Sequence, residues 1–255
     1  MKIEEISQFV KGVDGWLTDK EGRLLYHLAK NCRGHGVIVE IGSWKGKSTI
    51  WLAAGAKAGK KIPVYAIDHH KGSPEHYQWY GAKDIWTFDE FQKNLALAGV
   101  ADIVIPVVKT SAAAAKDFNQ PVELIFIDGA HQYELVKLDF ELWFPKLIEG
   151  GVMVVHDTAG WAPWPGPIKM VKEKIYHSLY FKDIGLVHSI TFAKKVKINS
   201  PQDRWKNQLM SFIRFPSEII GKLNLKIILL IKSIKMKKKG LDAPAATIER
   251  HSQPL

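Results

Sequence analysis

Val39-Glu40-Ile41-Gly42-Ser43-Trp44-Lys45-Gly46-Lys47-Ser48-Thr49 runs from a β-branched apolar stretch into a glycine-rich turn and on into a helix. The stretch starts at Val37 and is apolar on both faces apart from Glu40, as a buried parallel strand should be. Gly42 and Gly46, four residues apart, let the backbone turn tightly and approach a ligand. The helix beginning near Ser48 then aims free N–H groups at that ligand. A phosphate loop is one candidate, because Gly46-Lys47-Ser48 is present. Its spacing is wrong: Gly42 lies one residue too close and position 41 is Ile, whereas successive N–H groups must wrap the phosphate.

The same alternation recurs outward from this turn. Further short apolar runs occupy Pro63–Ile67, Ile103–Val108, Val122–Ile127 and Val152–His156. Between them, Ser48–Ala56, Thr87–Leu97, Ser111–Asp117 and Tyr133–Leu147 carry apolar residues at helical spacing. Strand–helix alternation repeated this way predicts an α/β fold, an open Rossmann-like, mostly parallel sheet with helices on both faces. Residues 15–33 read as an N-terminal helix. After a Gly-, Pro- and Trp-rich loop at Ala159–Pro167 come a helix and a closing hairpin near 179–183 and 187–195.

The chain has 255 residues, enough for one large domain or a domain with an appendage. Its 46% hydrophobic and 24% charged residues exclude wholesale disorder and a fibrous repeat. A single cysteine, Cys32, excludes an intramolecular disulfide and a Cys-rich zinc site, and a reducing cytoplasm is the expected setting. The net charge is +10, but residues 193–255 hold 14 Lys/Arg against 4 Asp/Glu, so the tail accounts for all of it. A body without net charge has nothing to attract nucleic acid. The first residues are polar and read as no signal peptide, and no run approaches about 18 apolar residues. The domain reading is therefore a body over 1–196 and a basic tail over 197–255. Within the tail, 217–239 reads as a basic amphipathic helix. It lies on an anionic membrane at the inner face, or docks on its own body or a second subunit. Residues 240–255 read as disordered.

In such sheets ligands sit at the carboxyl ends of the strands, where strand order reverses. Asp68, 26 residues after Gly42, ends the second strand and can accept two hydrogen bonds from ribose hydroxyls, or cap a helix. Ser111, after the third strand, suits an adenine contact or an N-cap. Asp128 and Asp157 end the fourth and fifth strands, and neighbouring strands lie ~5 Å apart. Carboxylates that close repel unless something cationic lies between them, and a Mg²⁺-type ion would serve. His131, three residues past Asp128, is the best-placed base, because an imidazole is the side chain suited to taking and giving a proton near neutrality.

Taken together, these residues resemble a class I S-adenosylmethionine (SAM)-dependent methyltransferase. Within that class the chain is similar to the bacterial methyltransferase domain 24 group. The resemblance rests on Glu40-x-Gly42-x3-Gly46, on Asp68-His69-His70-Lys71-Gly72-Ser73-Pro74-Glu75, on Phe126-Ile127-Asp128-Gly129-Ala130-His131-Gln132-Tyr133, and on Gly151-Val152 through His156-Asp157-Thr158. It covers roughly residues 15 to 195. It implies a seven-stranded sheet with a reversed final hairpin. It implies SAM bound by Glu40, Gly42, Ser43, Gly46, Ser48, Asp68, Ser111 and Asp128. Of these, Glu40, Gly42 and Gly46 would cradle the methionine part and Ser48 its carboxylate. Metal-dependent relatives place acids where Asp128 and Asp157 lie, and some sugar enzymes carry a histidine base where His131 lies. Catechol-type enzymes follow the second acid with Asn; Thr158 stands there in this chain.

His76, Tyr77, Trp79, Tyr80, Trp86, Phe88 and Phe91, with Trp161 and Trp164, leave strand ends on the ligand side. Aromatic faces stack on sugar rings or planar acceptors, or pack as a lid on the core. The reading is therefore SAM-dependent O-methylation of a small-molecule or glycosyl acceptor. The rivals are a P-loop-like nucleotide-phosphate enzyme and a non-catalytic nucleotide-binding module.

Overall fold

The structure is a computed structural model, and it describes residues 2–73, 76–77, 84–160 and 162–215. The expected tail helix at 217–239, the expected disorder at 240–255, and Trp79, Tyr80 and Trp161 lie outside the described residues. The chain divides into two units, Met1–Ser211 and Phe212–Leu255. The first holds the sheet. Among the described residues no helix is long and apolar enough to cross a membrane.

Seven strands form one sheet: β1 (Val37–Ile41), β2 (Val64–Ile67), β3 (Val104–Val107), β4 (Val122–Ile127), β5 (Leu147–Val155), β6 (Phe181–Val187) and β7 (Ile190–Lys195). Their order is β3-β2-β1-β4-β5-β7-β6. The first five strands are parallel, and β7 is antiparallel to both β5 and β6. Central position explains composition: every residue of β1 and β4 is buried, so both read as apolar runs interrupted only by Glu40 and Glu123. β3 lies on the edge, which is why Pro106 and the exposed Ile105 are tolerated there. Order reverses between β1 and β4, so the crevice opens above their carboxyl ends.

The helices are α1 (Ile3–Val10), α2 (Asp19–Lys30), α3 (Lys47–Ala58), α4 (Phe88–Leu97), α5 (Ser111–Asp117), α6 (Tyr133–Trp143), α7 (Pro165–Val171) and α8 (Pro201–Arg214). Trp51 of α3, Trp143 of α6 and Phe126 of β4 are among the largest side chains with essentially no exposure. Fully burying an apolar side chain of this kind contributes ~1.5–3 kcal/mol. Cys32, after α2, is also buried, and burial followed by the charge of Glu123 pushes its thiol up to about 12.

The helix expected within 15–33 is α2, Asp19–Lys30, and α1, Ile3–Val10, precedes it; one expectation, the start of the fifth strand, needs correction. Thr18 starts α2 with a capping box: its N–H donates to Glu21 Oε2 at 2.8 Å and Glu21 N–H donates back to Thr18 Oγ1 at 3.4 Å. The fifth strand begins at Leu147, not Val152, and passes through Glu149-Gly150-Gly151. An irregularity against β4 absorbs the extra residues: Val122 pairs with Leu147 and Leu124 already pairs with Val152. Beyond β7, Asn207 of α8 donates from Nδ2 to Phe181 O at 2.8 Å, so the compact body continues past residue 196.

Candidate active site

Gly42 ends β1 at φ 86°, a conformation that strongly favours glycine. A Cβ there would lie 2.2 Å from the carbonyl oxygen of Asp128, so the turn after β1 and the end of β4 touch backbone to backbone. Gly46 stands at the N-cap of α3, also left-handed at φ 91°. A cavity of about 590 Å³ opens above these turns. Gly42, Ser43, Ser48, Asp68, Ser111, Asp128, His131 and Asp157 all line it.

Two expected cofactor residues stand behind its wall. Gly46 shapes the turn, and Glu40 is wholly buried, accepting a hydrogen bond from Thr49 Oγ1 at 2.5 Å. Burial pushes the Glu40 carboxyl up to about 8, against opposing hydrogen bonds from Ser48 and Thr49. The folded state therefore keeps a proton that the unfolded chain releases above its ordinary value of 4.5. Stability should fall as pH rises from about 4.5 to 8, by at most a few kcal/mol. Glu40→Gln should flatten that slope. Melting temperatures taken between about pH 5 and 9 check it, and parallel curves for both proteins would refute the assignment.

Asp68 is held from both sides. Its Oδ2 accepts the Trp44 N–H at 2.8 Å and its Oδ1 the His70 N–H at 2.7 Å. Trp44 and His70 adopt positive φ, 47° and 58°, to present those amides. Each carboxylate oxygen keeps a lone pair for a ligand.

At the other end, a chain of acids and histidines spans the tips of β4 and β5. His131 Nε2 lies 3.1 Å from Asp157 Oδ2. His156 Nδ1 lies 3.1 Å from Asp128 Oδ1 and 3.3 Å from Asp157 Oδ2, and its Nε2 lies 3.5 Å from Glu21 Oε1. His156 is thus bracketed by three carboxylates. Burial alone would lower its pKa, but Asp128, Asp157 and Glu21 hold it well above the usual histidine value. Burial would raise the Asp157 carboxyl, yet hydrogen bonds to His131 and His156 and their charge keep it far below the carboxylate range. Asp157 itself sits at φ 56°. Glu21 closes the chain. Its Oε1 also accepts from Ser189 N–H at 3.0 Å and Ser189 Oγ at 2.5 Å. Burial would raise its carboxyl, but His156, Ser189 and Thr18 hold it far down.

Sequence reasoning missed His156 and Glu21. His156 was legible as the strand residue before Asp157, and the requirement for a cation between the two acids could have singled it out. Glu21 lies over a hundred residues away from either acid, and only its capping-box spacing was visible.

The aromatic residues divide. His76 stacks on Trp44 at 4.2 Å between ring centroids, with Trp16 5.2 Å from His76, and all three line the cavity. Trp164 stacks on His131 at 4.5 Å. Phe91 is buried core. A Cβ on Gly166, just past Trp164, would lie 2.1 Å from the His131 carbonyl oxygen, so α7 is pressed against the loop that carries His131.

Residues 39–158 match the family model described as "Methyltransferase domain". This stretch is a methyltransferase domain. It contains the turn after β1 and the acids that end β2, β4 and β5. A curated relative, the uncharacterized protein y4gI of Sinorhizobium fredii, is 32% identical over 125 residues. That match covers 48% of this chain but only 13% of the relative's length. Among solved structures, the O-methyltransferase TomG from Streptomyces achromogenes, in complex with SAM, is 19% identical with a TM-score of 0.54. The alignment covers 76% of this chain and 89% of TomG. The O-methyltransferase from Bacillus cereus, in complex with S-adenosylhomocysteine (SAH), is 20% identical with a TM-score of 0.52, covering 76% and 90%. These likenesses establish the fold. Nothing in the comparisons supports the nucleotide-phosphate alternative. The sheet is the seven-stranded mixed one that the resemblance implied.

Proposed function

We propose that the methyltransferase domain transfers the methyl of SAM to a hydroxyl of a small-molecule acceptor, with a glycosyl or planar ring fitting best. The observation that carries this is one cavity joining Asp68 to the His131–Asp157 pair. Its size of about 590 Å³ falls within the range of small-ligand sites. Asp68, steadied by two backbone amides, accepts the ribose hydroxyls. SAM supplies an electrophilic methyl on a sulfonium. The chain's part is alignment and proton removal. With Asp157 ionised, His131 carries its proton on Nε2, and the lone pair stays on Nδ1, which is buried without a partner among the described residues. As the C–S bond breaks and the O–C bond forms, Nδ1 takes the hydroxyl proton. Trp164 fixes the imidazole plane, while Trp44 and His76 offer a stacked face to an acceptor ring.

Asp128, His131 and Asp157 each offer a ligand atom within 4.8 Å of the others, a spacing that fits a divalent ion. Such an ion would chelate neighbouring acceptor hydroxyls and lower the pKa of the attacking one. Two features weigh against it. His156 already sets positive charge between Asp128 and Asp157. Thr158 is turned away, donating from Oγ1 to Ser189 O at 2.8 Å. His131 cannot lend one lone pair both to a metal and to a proton.

SAH should bind near micromolar affinity, ~8 kcal/mol. Asp68→Ala should weaken it by roughly 1–3 kcal/mol through lost charge-assisted hydrogen bonds. Calorimetry with SAH, ATP and NAD tests this, and heat with ATP but none with SAH would sink the proposal. Methyl-transfer assays with and without chelator then report on the ion.

A further inference from the structure

α8 is built inside out. A surface helix ordinarily turns its apolar stripe to the core and its polar face to water. The residues that α8 buries are Asn207 and Ser211. Asn207 donates from Nδ2 to Phe181 O at 2.8 Å, and Ser211 Oγ lies 3.4 Å from His177 Nε2. Asn199, just ahead of the helix, donates from Nδ2 to Ser178 O at 3.0 Å and Phe181 O at 2.9 Å. Polar side chains thus dock the helix on the start of β6 and the turn before it. Its apolar side chains point the other way: Trp205, Leu209, Phe212 and Ile213 are 63%, 40%, 52% and 60% exposed. At ~100° per residue, these four fall within about 100° of arc. Of the other helix residues, only Gln202, in the first turn, shares that arc.

The charges follow the same division. The one acid of the helix, Asp203, lies on the other side and accepts from Ser200 Oγ at 2.7 Å. Lys206 is exposed and borders the apolar stripe. Past Arg214 the sequence adds seven lysines between Lys222 and Lys239, against the single acid Glu218. A stripe of Trp, Leu, Phe and Ile beside a lysine-rich segment suits an anionic lipid surface. Indole sits at headgroup level, aliphatic side chains enter the acyl boundary, and ammonium groups meet lipid phosphates. We infer that α8 is an interfacial helix that seats the chain on an anionic bilayer through Trp205, Leu209, Phe212 and Ile213. A second copy of the chain fits this face less well. It carries the same lysine surplus, so pairing would bring like charges together. A stable interface also takes about 20–30 residues a side, and this stripe offers four. The inference does not depend on the reaction chemistry.

The test is co-sedimentation of the full chain with vesicles, either phosphatidylglycerol and phosphatidylcholine in equal parts or phosphatidylcholine alone. Wild type should bind the mixed vesicles, and the neutral ones more weakly. Trp205→Ser combined with Leu209→Ser should weaken binding to mixed vesicles by about 10- to 100-fold. The melting temperature should stay unchanged, since both side chains already stand in water. Leu209→Gln alone should give a smaller loss in the same direction, and it serves if the double variant fails to fold. A folded variant that binds as tightly as wild type would overturn the inference and leave the lysine-rich segment as the contact. Wild type that ignores mixed vesicles, or binds neutral ones equally well, would overturn it too. Light scattering that shows a wild-type dimer broken by the double substitution would overturn it in favour of a second copy.

Discussion

Replacing His131 with alanine should lower the turnover of methyl transfer by about 10²–10⁴-fold, the usual contribution of a positioned general base. SAH affinity should be unchanged, because Asp68 stands at the other end of the cavity. The fold should also survive: the His131 side chain is 17% exposed, and Asp157 keeps its second partner, His156. Asp157→Asn should fall in the same direction by a different route. An amide can donate as well as accept, so it no longer dictates which imidazole nitrogen carries the proton. Steady-state rates at saturating SAM, paired with SAH calorimetry, separate the two roles. An unimpaired His131→Ala enzyme would remove the base from the mechanism.

The second large effect is on stability. Glu21→Ala should cost about 3–5 kcal/mol, the range for deleting one member of a buried ion pair. Glu21 and His156 have side-chain exposures of 1% and 5%, so the surviving charge cannot reach water. The capping box of α2 is lost as well. Both pKa shifts set the pH window. The Glu21 carboxyl is depressed, so its contribution is present above its ordinary 4.5 and lost as pH falls through the folded value. His156 is raised, so its contribution is complete below 6.5 and drains away as pH climbs through the folded value. The two coexist fully between about 4.5 and 6.5, and denaturant unfolding near pH 6 should show the largest difference. Glu21→Gln, which keeps the shape and loses the charge, should fall between wild type and Glu21→Ala. A Glu21→Ala midpoint equal to wild type would mean the ion pairs add nothing.

The parallel sheet was legible because its central strands are buried on both faces, which leaves only apolar residues in Val37–Ile41 and Val122–Ile127 apart from Glu40 and Glu123. The ends of β1, β2 and β4 were legible because each apolar run closes abruptly, on Gly42, Asp68 and Asp128. What stayed hidden depends on distant contacts. The start of β5 was masked because Glu149-Gly150-Gly151 looks like a turn, and only its pairing with β4 makes it strand. Asp139, buried on α6, carries no signal in the sequence, since its surroundings include Ser111 and Gly129 of other segments. His156 read as the residue before the acid, although it turned out to be the cation the two acids required.

The state of Cys32 has a practical consequence. With its thiol pushed up to about 12, almost no thiolate exists near neutrality, and thiolate is the form that reacts. It is also the chain's single cysteine. The native protein is therefore nearly silent toward maleimides, with no background to engineer away. A cysteine introduced at Trp16, a half-exposed position on the cavity rim, would be the one site that takes a fluorophore. Its emission would report in real time when a ligand enters and when the product leaves.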